Sequence, residues 1–269
     1  MAMLRRLFNG LVVSDVHLAM ACKLYDHLSN DLDMTMSGIE RVHACPDDAD
    51  MAVSVGGDGT FLRTVAWVSG RDIPVLGINT GHLGYLSALT LPEAVESVEA
   101  IVRMDFRTEF RTLLHVAEPG VMGWPMALNE VVIAKEDTSS MINASVTVNG
   151  HFLADYRADG VIVSTPTGST AYNLSVGGPV VQPTAPVFVV SPVAAHSLSL
   201  RPLVLGDDAE IVICVDGRGH TFRLSLDGRA YSLPLGTTVR LRRAVHRVAV
   251  LQSRDRDFTS VLNSKLMFS

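Results

Sequence analysis

Val55-Gly56-Gly57-Asp58-Gly59-Thr60 is the stretch that decides how the first part of the chain folds. An apolar run leads into it, and apolar residues at helical spacing follow from Phe61 onward. A strand, a glycine turn and a helix start present free backbone N–H groups and a positive helix end to a phosphate. The carboxylate of Asp58 would repel that phosphate, so we expect it to handle a proton or a magnesium ion. The alternative is a plain Asp-Gly turn between strand and helix.

Around this turn the sequence predicts alternating strands and helices. The wholly apolar run 73–78 is typical of a parallel strand that is buried on both faces. Thr90-Leu91-Pro92-Glu93 is a capping box that opens a helix to about residue 104. The other predicted elements are a strand over 7–13, a helix over 16–28 with Ser14 as N-cap, a strand over 52–55 and a helix over 60–68.

A second glycine-rich turn, Asn79-Thr80-Gly81-His82-Leu83-Gly84, follows the predicted strand 73–78. Open α/β sheets bind their ligands at the carboxyl ends of the strands. The two glycine turns come from neighbouring predicted strands, so we expect them to share one crevice at that edge of the sheet.

After Asp105 the sequence changes to short runs rich in Val, Ile and Thr, separated by turn signals. Asn149-Gly150 and Asp227-Gly228 each predict a hairpin turn. The predicted fold class is an α/β N-terminal domain with a Rossmann-like parallel sheet, followed by a mostly antiparallel, β-sandwich-like C-terminal domain. The predicted domains are 1–104, completed by a short helix in the tail 252–269, and 105–251.

Composition and charge exclude several classes of protein. The chain has 269 residues, 48% of them hydrophobic, and a formal net charge of −6, which argues against a general nucleic-acid or anionic-membrane surface. Its apolar runs are too short or too broken by proline to cross a bilayer, and its start has no signal-peptide pattern. The three cysteines, Cys22, Cys45 and Cys214, have no metal-ligand spacing. We therefore expect a soluble cytoplasmic protein with reduced thiols.

The second informative stretch runs from Asp159 to Ser175 and contains Thr165-Pro166-Thr167-Gly168-Ser169-Thr170-Ala171-Tyr172. A buried strand leads into hydroxyls and free N–H groups at the start of a short helix, and these groups can hydrogen-bond a sugar, a base edge or a phosphate. Tyr172 adds a flat face for stacking. The alternative is an ordinary loop, because clusters of Ser, Thr, Pro and Gly are common in loops and caps.

Together these two stretches resemble the signature motifs of the NAD kinase family. Asn129-Glu130-Val131-Val132, the glycine-rich segment 77–86 and the block 196–204 are similar to further family motifs, and all of them occur in family order. The first motif is shared with lipid kinases and phosphofructokinases, whereas the second is much more specific. The resemblance implies transfer of the γ-phosphoryl group of ATP to the 2′-hydroxyl of the adenosine ribose of NAD, which gives NADP.

The resemblance also implies roles for individual residues. Asp58 matches the catalytic aspartate, as the base that takes the proton from the 2′-hydroxyl, with magnesium ligand as the rival role. The implied phosphate loop for ATP comprises Gly56, Gly57, Gly59 and Thr60. The implied NAD-binding residues are Asp58, Gly59, Arg63, Asn129, Glu130, Arg157, Asp159, Thr167, Thr170, Ala171, Tyr172, Asn173, Leu174 and Ser175. Magnesium, or another divalent metal, is expected to arrive with ATP and not in a dedicated protein site.

Some of these residues have a simpler interpretation. Arg63 would otherwise be a solvated charge on its helix, and Arg157 would be the partner of a surface acid. His82, His151 and His196 have no partner at metal-ligand or acid–base spacing and are interpreted as structural.

Two features of the sequence depart from the family pattern. The first predicted strand lacks the clean apolar run of the family, and Arg229 stands where many members place glutamine.

Two other functions stay open. One rival function is an ATP-dependent kinase acting on a lipid or sugar-phosphate hydroxyl, and the other is a non-catalytic NAD-binding sensor. The resemblance further implies a homodimer or homotetramer assembled through the β domain. No nucleic-acid or membrane partner is expected.

Overall fold

The computed structural model describes residues 2–31, 34, 36–81, 84–121, 123–136, 141–197 and 199–266. His82 and Leu83 of the second glycine turn, and Leu198 of the block 196–204, lie outside these residues. The chain divides into two compact units, of which one comprises Met1–Glu109 with Val248–Ser269 and the other Phe110–Arg247. In the described part of the chain, no helix has the length and apolar character needed to cross a membrane.

The secondary structure alternates in the first unit and is dominated by strands in the second. The α-helices are Ala2–Val12 (α1), Cys22–Asp26 (α2), Asp58–Val68 (α3), Leu91–Glu96 (α4), Val98–Val102 (α5), Tyr172–Ser175 (α6) and Phe258–Leu266 (α7), with a π-helix at His27–Asp31 and a 3-10 helix at Thr167–Thr170. The strands are Leu18–Ala21 (β1), Ile39–Val42 (β2), Ala52–Val55 (β3), Val75–Asn79 (β4), Leu89–Thr90 (β5), Arg107–Arg111 (β6), Leu114–Glu118 (β7), Met126–Ala127 (β8), Glu130–Lys135 (β9), Ile142–Val148 (β10), His151–Ala158 (β11), Gly160–Ser164 (β12), Val187–Val193 (β13), Leu203–Gly206 (β14), Ile211–Gly217 (β15), Thr221–Leu226 (β16), Arg229–Pro234 (β17), Thr238–Arg243 (β18) and Val248–Gln252 (β19).

The first unit is built on a sheet with the order β3-β4-β19-β6, and β5 pairs with β4 beside this path. β3, β5 and β19 all pair with β4 in parallel. β4 is buried along its whole length, as predicted for the run 73–78. Its Leu76 and Ile78 pack in a cluster with α1, α4 and α5, whereas Gly77 faces Phe61 of α3. The predicted Rossmann-like sheet is confirmed, and the carboxyl ends of β3 and β4 lie side by side.

Two predictions at the start of the chain are wrong. Residues 7–13 are not a strand, because Leu7 and Leu11 are the buried face of helix α1 at a spacing of one helical turn. Residues 16–28 are not a single helix, because Leu18–Ala21 is a strand that pairs in parallel with β2. Strand formation there depends on pairing with a strand that is distant in sequence, and the local spacing of apolar residues does not reveal that partner strand.

The later elements of this unit are predicted more closely. The capping box is confirmed, since Glu93 accepts the Thr90 N–H at 2.7 Å. The prediction of one helix to residue 104 is wrong, because Ser97, with φ −109° and ψ 24°, separates α4 from α5. The short helix predicted in the tail forms as α7, which belongs to the first unit. β19, the last strand of the predicted β-rich segment, pairs with β4 in the parallel sheet of this unit.

The second unit consists of two six-stranded sheets, in the orders β11-β10-β15-β18-β7-β8 and β14-β13-β12-β9-β16-β17. Adjacent strands such as β10 and β15, or β9 and β12, are antiparallel. Alternate residues of both sheets are buried in a single hydrophobic core. Inner faces that share a core define a β-sandwich, so the predicted sandwich-like antiparallel domain is confirmed.

Both predicted hairpins are confirmed in this unit. Asn149-Gly150 joins β10 to β11, and Asp227-Gly228 joins β16 to β17. All four residues have positive φ, with values of 50° and 79° in the first turn and 47° and 82° in the second. Asn-Gly and Asp-Gly are the dipeptides that tolerate this conformation best, which is why the sequence signal is reliable.

Candidate functional site

Asp58 is the first residue of helix α3 and follows the glycine turn directly. The turn continues from the sheet, since the Gly56 N–H donates to the β4 carbonyl of Ile78 at 2.9 Å. Gly57 is the extended N-cap of the helix, and its carbonyl accepts the Thr60 N–H at 2.8 Å. The first turn of a helix has no intrahelical acceptors for its leading N–H groups. This end of α3 therefore has the donors and the positive dipole that the sequence predicted for an anion.

The second glycine turn holds the carboxylate of Asp58. Asp58 Oδ2 accepts the Tyr85 N–H at 3.0 Å, and Oδ1 accepts the Leu86 N–H at 3.3 Å. A Cβ on Gly84 would lie 1.8 Å from Asp58 Oδ1, so this approach requires glycine at position 84. The expectation that the two turns lie together is confirmed for their described residues. Asp58 is more than part of a plain Asp-Gly turn, because a separate segment fixes its carboxylate.

Arg63 lies one helical turn beyond the glycine turn and is exposed. Its Nη2 donates to the Thr60 hydroxyl at 3.0 Å, which keeps the guanidinium near the start of α3. Gly57 and Gly59 are exposed beside it. Backbone donors, a guanidinium and one carboxylate thus occupy the same end of the helix. Such a set can neutralise a phosphate and accept a proton from a nearby hydroxyl.

In the second unit, the stretch 165–172, called here the hydroxyl-rich stretch, packs on the start of β9, where Asn129 and Glu130 lie. β12, which leads into that stretch, ends opposite the first residue of β9. The Thr165 N–H donates to the Asn129 carbonyl at 2.9 Å, and its hydroxyl donates to the Leu128 carbonyl at 2.5 Å. A Cβ on Gly168 would lie 2.1 Å from the Asn129 carbonyl oxygen, so this contact also requires glycine. The hydroxyl-rich stretch and the segment that carries Asn129 and Glu130 are therefore packed directly against each other.

Asn173 holds helix α6 on this structure and is fully buried. Its Nδ2 donates to the carbonyls of Ser169 and Pro179, each at 3.1 Å, and its Oδ1 accepts the Ser191 hydroxyl at 2.7 Å. These contacts engage both ends of the amide within the protein. We infer a supporting role for Asn173, which the sequence assigned to the NAD-binding residues.

Within the part of the chain that the structure describes, three buried polar side-chain atoms of this region have no hydrogen-bond partner: Asn129 Oδ1, Glu130 Oε2 and Thr167 Oγ1. Buried polar atoms in native proteins are nearly always paired, and an unpaired one requires a specific explanation. All three atoms belong to residues predicted to bind NAD, at the adjoining ends of β9 and β12. A ligand that carries hydroxyl and N–H groups would satisfy them.

Two carboxyl groups determine the electrostatics here. Burial and the neighbouring Asp227 carboxylate raise the pKa of Glu130 to about 7, although the Tyr172 N–H opposes this shift. Burial also raises the pKa of Asp227, against the three backbone N–H groups of Leu128, Asn129 and Glu130 that bind its carboxylate. Glu130 is consequently close to its titration point at neutral pH, and a ligand contact can change its charge.

Tyr172 is the first residue of α6 and is 42% exposed. An exposed ring beside buried polar groups is suited to stacking on a base. The other predicted residues of this segment are partly buried or exposed: Thr170, Ala171, Leu174 and Ser175.

Comparison with known proteins gives the family of the chain. The family model described as the ATP-NAD kinase N-terminal domain matches residues 3–106, and the model described as the ATP-NAD kinase C-terminal domain matches residues 128–253. The chain belongs to the NAD kinase family. It is 42% identical over 246 residues to the NAD kinase of Porphyromonas gingivalis, which covers 91% of this chain and 85% of that protein. It is 38% identical over 264 residues to the NAD kinase of Bacteroides fragilis, which covers 97% and 91%.

Two solved structures have the same NAD kinase fold. The crystal structure of yeast NADH kinase complexed with NADH has a TM-score of 0.83 at 26% identity and covers 98% of this chain and 84% of that one. The crystal structure of an NAD kinase from Archaeoglobus fulgidus in complex with ATP has a TM-score of 0.75 at 25% identity and covers 94% and 100%. The two-domain architecture predicted from the sequence is therefore that of the NAD kinase family.

Two predicted NAD-binding residues lie apart from the three unpaired atoms. Asp159 pairs with Lys135 at 2.7 Å, at the end of β9 opposite to Glu130. The length of β9 makes that separation roughly 17 Å at about 3.4 Å per residue. Arg157 is exposed on the edge strand β11, and its carbonyl accepts the His196 N–H at 2.9 Å. The structure thus brings one group of predicted residues together and leaves these two outside it.

The sequence did not reveal the groups that support the candidate site. Tyr85 and Leu86 contribute backbone N–H groups, which a side-chain pattern does not reveal. Asp227 contributes a carboxylate, and its only sequence signal is a hairpin dipeptide, which predicts a turn and not a contact with Asn129.

The residues present fit a magnesium ion that arrives with ATP. In the described residues, no group of three or more His, Cys, Asp or Glu side chains is arranged to hold a metal. Each oxygen of Asp58 accepts one backbone N–H, which leaves lone pairs of an ionised carboxylate for a cation. Magnesium is commonly bound by one or two carboxylates together with substrate phosphates, so Asp58 suits that role.

Proposed function

We propose that the chain transfers the γ-phosphoryl group of ATP to the 2′-hydroxyl of the adenosine ribose of NAD and so produces NADP. The observation that carries this proposal is the set of buried, unpaired oxygens on Asn129, Glu130 and Thr167. A dinucleotide offers the hydroxyl and N–H groups that these oxygens lack. The relatives support the assignment, since the protein at 42% identity is an NAD kinase and the two solved structures hold NADH and ATP.

NAD is bound by the start of β9 and the hydroxyl-rich stretch. Glu130 accepts hydrogen bonds from ribose hydroxyls, and Asn129 pairs with an adenine edge, because an amide both donates and accepts. Thr167 completes the polar contacts, and the exposed ring of Tyr172 stacks on a base. Thr170, Ala171, Asn173, Leu174 and Ser175 bind NAD from the same segment, and the buried amide of Asn173 also holds that segment in place.

Asp58 acts as the general base. The 2′-oxygen forms a bond to the γ-phosphorus, the bond from that phosphorus to the bridging oxygen breaks, ADP leaves, and the hydroxyl proton passes to the Asp58 carboxylate. The Tyr85 and Leu86 N–H groups fix that carboxylate before substrate arrives, so little reorganisation is needed. A base contributes only when the attacking oxygen has begun to form its bond to phosphorus. A carboxylate without special activation therefore suffices to accept the proton.

The phosphates of ATP are bound at the start of α3. The backbone of Gly56, Gly57, Gly59 and Thr60 approaches them, and the helix end contributes positive charge. Asp58, Gly59 and Arg63 also approach NAD, as the family resemblance implies, and Arg63 can neutralise a phosphate there. A magnesium ion bound with ATP would supply neutralisation of the phosphate charge, and in the rival role Asp58 would be the residue that holds it. Proton acceptor is the proposed role of Asp58, and metal ligand is the rival.

The remaining proposals rest on family resemblance and composition. Arg157 and Asp159 contact NAD away from Asn129, Glu130 and Thr167, which together form the Asn129 cluster. The chain assembles as a homodimer or homotetramer, which light scattering tests, and it works in the cytoplasm. The domain limits of 1–104 with 252–269, and of 105–251, stay predictions.

The proposed function is tested by incubating the purified chain with NAD, ATP and magnesium and measuring NADP with an NADP-specific dehydrogenase. NADP is expected only when all components are present. Parallel incubations replace NAD by a diacylglycerol lipid or by a sugar phosphate, and calorimetry measures NAD binding without ATP. Phosphorylation of the lipid or sugar without NADP would establish the first rival, and NAD binding without turnover would establish the second.

A further inference from the structure

The turn between β16 and β17 holds the backbone of the segment that carries Asn129 and Glu130. Asp227 Oδ2 accepts the Leu128 N–H at 2.7 Å, and Oδ1 accepts the N–H groups of Asn129 at 2.8 Å and Glu130 at 3.2 Å. The Asp227 N–H in turn donates to the Glu130 carbonyl at 3.2 Å. Successive N–H groups that converge on one anion form a nest, which fixes the local backbone conformation.

Arg229 holds the preceding part of the same segment. Its guanidinium donates to the carbonyls of Trp124 at 2.6 Å, of Leu226 at 3.2 Å and of Met126. Its Cζ also lies 5.5 Å from the centroid of the Trp124 ring, within the range of a cation–π contact. One turn therefore binds N–H groups of residues 128–130 through a carboxylate and the carbonyls of Trp124 and Met126 through a guanidinium, whereas the Leu226 carbonyl belongs to β16 beside the turn itself.

We propose that Asp227 and Arg229 are positioning residues for NAD, which set the backbone of residues 124–130 so that the unpaired oxygens of Asn129 and Glu130 face the dinucleotide. This inference rests on the proposed function, because it takes NAD as the ligand. Asp227 binds its partners through backbone groups only, which leaves the Asn129 and Glu130 side chains available to the ligand. Arg229 has more donors than the glutamine of many family members and holds its partners in a fixed planar fork.

Asp227 also sets the charge environment of Glu130. Asp227 is the charged group that raises the pKa of Glu130, and Arg229 faces Asp227 from the same turn. Among the described residues, the other elements packed there contribute no charge, since β12 places Ser164 opposite Glu130 and α6 contributes the Tyr172 N–H. Removing the Asp227 charge should therefore lower the pKa of Glu130.

The test compares Asp227→Asn, Arg229→Gln and Arg229→Lys with Arg223→Gln, which alters an exposed arginine of β16. NAD affinity is measured by calorimetry from pH 5.5 to pH 8.5, a range of about 1.5 units on either side of the Glu130 titration. KM for NAD, KM for ATP and kcat are measured alongside. Asp227→Asn should weaken NAD binding by about tenfold, the effect of one lost charge-assisted hydrogen bond. Its pH midpoint of NAD binding should move to lower pH.

Arg229→Gln and Arg229→Lys should each raise KM for NAD by about threefold to tenfold, because neither side chain reproduces the guanidinium fork. KM for ATP should stay unchanged in every variant, and Arg223→Gln should behave as wild type. Hydrogen exchange of the amides of residues 128–130 should accelerate in Asp227→Asn, while amides of the core strand β12 keep their protection. If Asp227→Asn does not fold, the two Arg229 variants decide the matter.

The experiment distinguishes a failure of the proposed function from a failure of the positioning claim. If the wild-type chain neither binds NAD nor forms NADP, the proposed function is wrong, and the positioning claim, which takes NAD as its ligand, is wrong with it. If the wild-type chain binds NAD and the variants bind it equally well, the positioning claim is wrong and the proposed function stands. Equal losses of NAD affinity, ATP affinity and thermal stability would also overturn the claim, since they indicate general destabilisation.

Discussion

The carboxylate of Asp58 occupies the space that a side chain at Gly84 would need: a Cβ there would lie 1.8 Å from Asp58 Oδ1 and 2.5 Å from its Cγ. Bare backbone at position 84 allows the N–H groups of Tyr85 and Leu86 to reach that carboxylate. The second glycine turn thus determines where the acidic group of the first turn lies.

Gly84→Ala should therefore displace the Asp58 carboxylate. A displacement of about 1 Å at a reacting group lowers kcat by roughly 100-fold, and NAD affinity should change little because the Asn129 cluster is untouched. Steady-state kinetics and NAD calorimetry measure the two effects. Gly120→Ala is the matched control, since a Cβ on Gly120 would meet no atom within 4 Å. Equal kcat in the two variants would mean that the position of the carboxylate is unimportant.

Thr167→Val and Thr165→Val form a second matched pair. The Thr167 hydroxyl oxygen is buried without a partner, so its removal should leave the free energy of unfolding unchanged or raise it. The Thr165 hydroxyl donates to Leu128 at 2.5 Å and accepts the Gly168 N–H at 3.1 Å, so its removal should cost about 1–3 kcal/mol. Urea denaturation without NAD measures both values.

The same Thr167→Val variant should bind NAD more weakly than wild type, in spite of its equal or greater stability. Calorimetry with NAD measures this loss. A variant that is less stable and binds NAD normally would show that the Thr167 hydroxyl has a protein partner and no ligand role.

Glu130 should make stability depend on pH near neutrality. Its pKa is raised from 4.5 to about 7 in the folded chain, so its stabilising contribution is complete below pH 4.5 and is lost as the pH rises through 7. Between pH 5 and pH 8 the wild-type chain should lose at most about 3 kcal/mol relative to Glu130→Gln. Urea denaturation at several pH values gives the difference curve. A flat difference would contradict the perturbed pKa.

The hairpin turns and the capped helix were the most predictable parts of this fold. Asn149-Gly150 and Asp227-Gly228 demand positive φ, and Thr90 with Glu93 caps its own helix, so each signal acts within a few residues. The buried strand β4 was equally clear, because a wholly apolar run leaves few other choices.

Contacts between distant residues were not predictable. β1 depends on pairing with β2, and local spacing instead indicated a helix over 16–28. Asp227 lies about a hundred positions from the Asn129 amide that it binds, and no periodicity connects the two. Asn173 was assigned to NAD by position, whereas its amide binds Ser191 and two carbonyls. The sequence therefore predicted a set of candidate site residues, and it did not show which of them support the others.

The central claim is that Asp58 serves the phosphoryl transfer while a separate set of residues binds NAD. Its most direct test measures kcat and the NAD dissociation constant of Asp58→Asn beside wild type and Asp48→Asn, an exposed aspartate in the loop before β3. Asp58→Asn should lose about 10²–10⁴-fold in kcat, the usual contribution of a general base, with an NAD dissociation constant close to that of wild type. Near-normal kcat in Asp58→Asn would contradict the account.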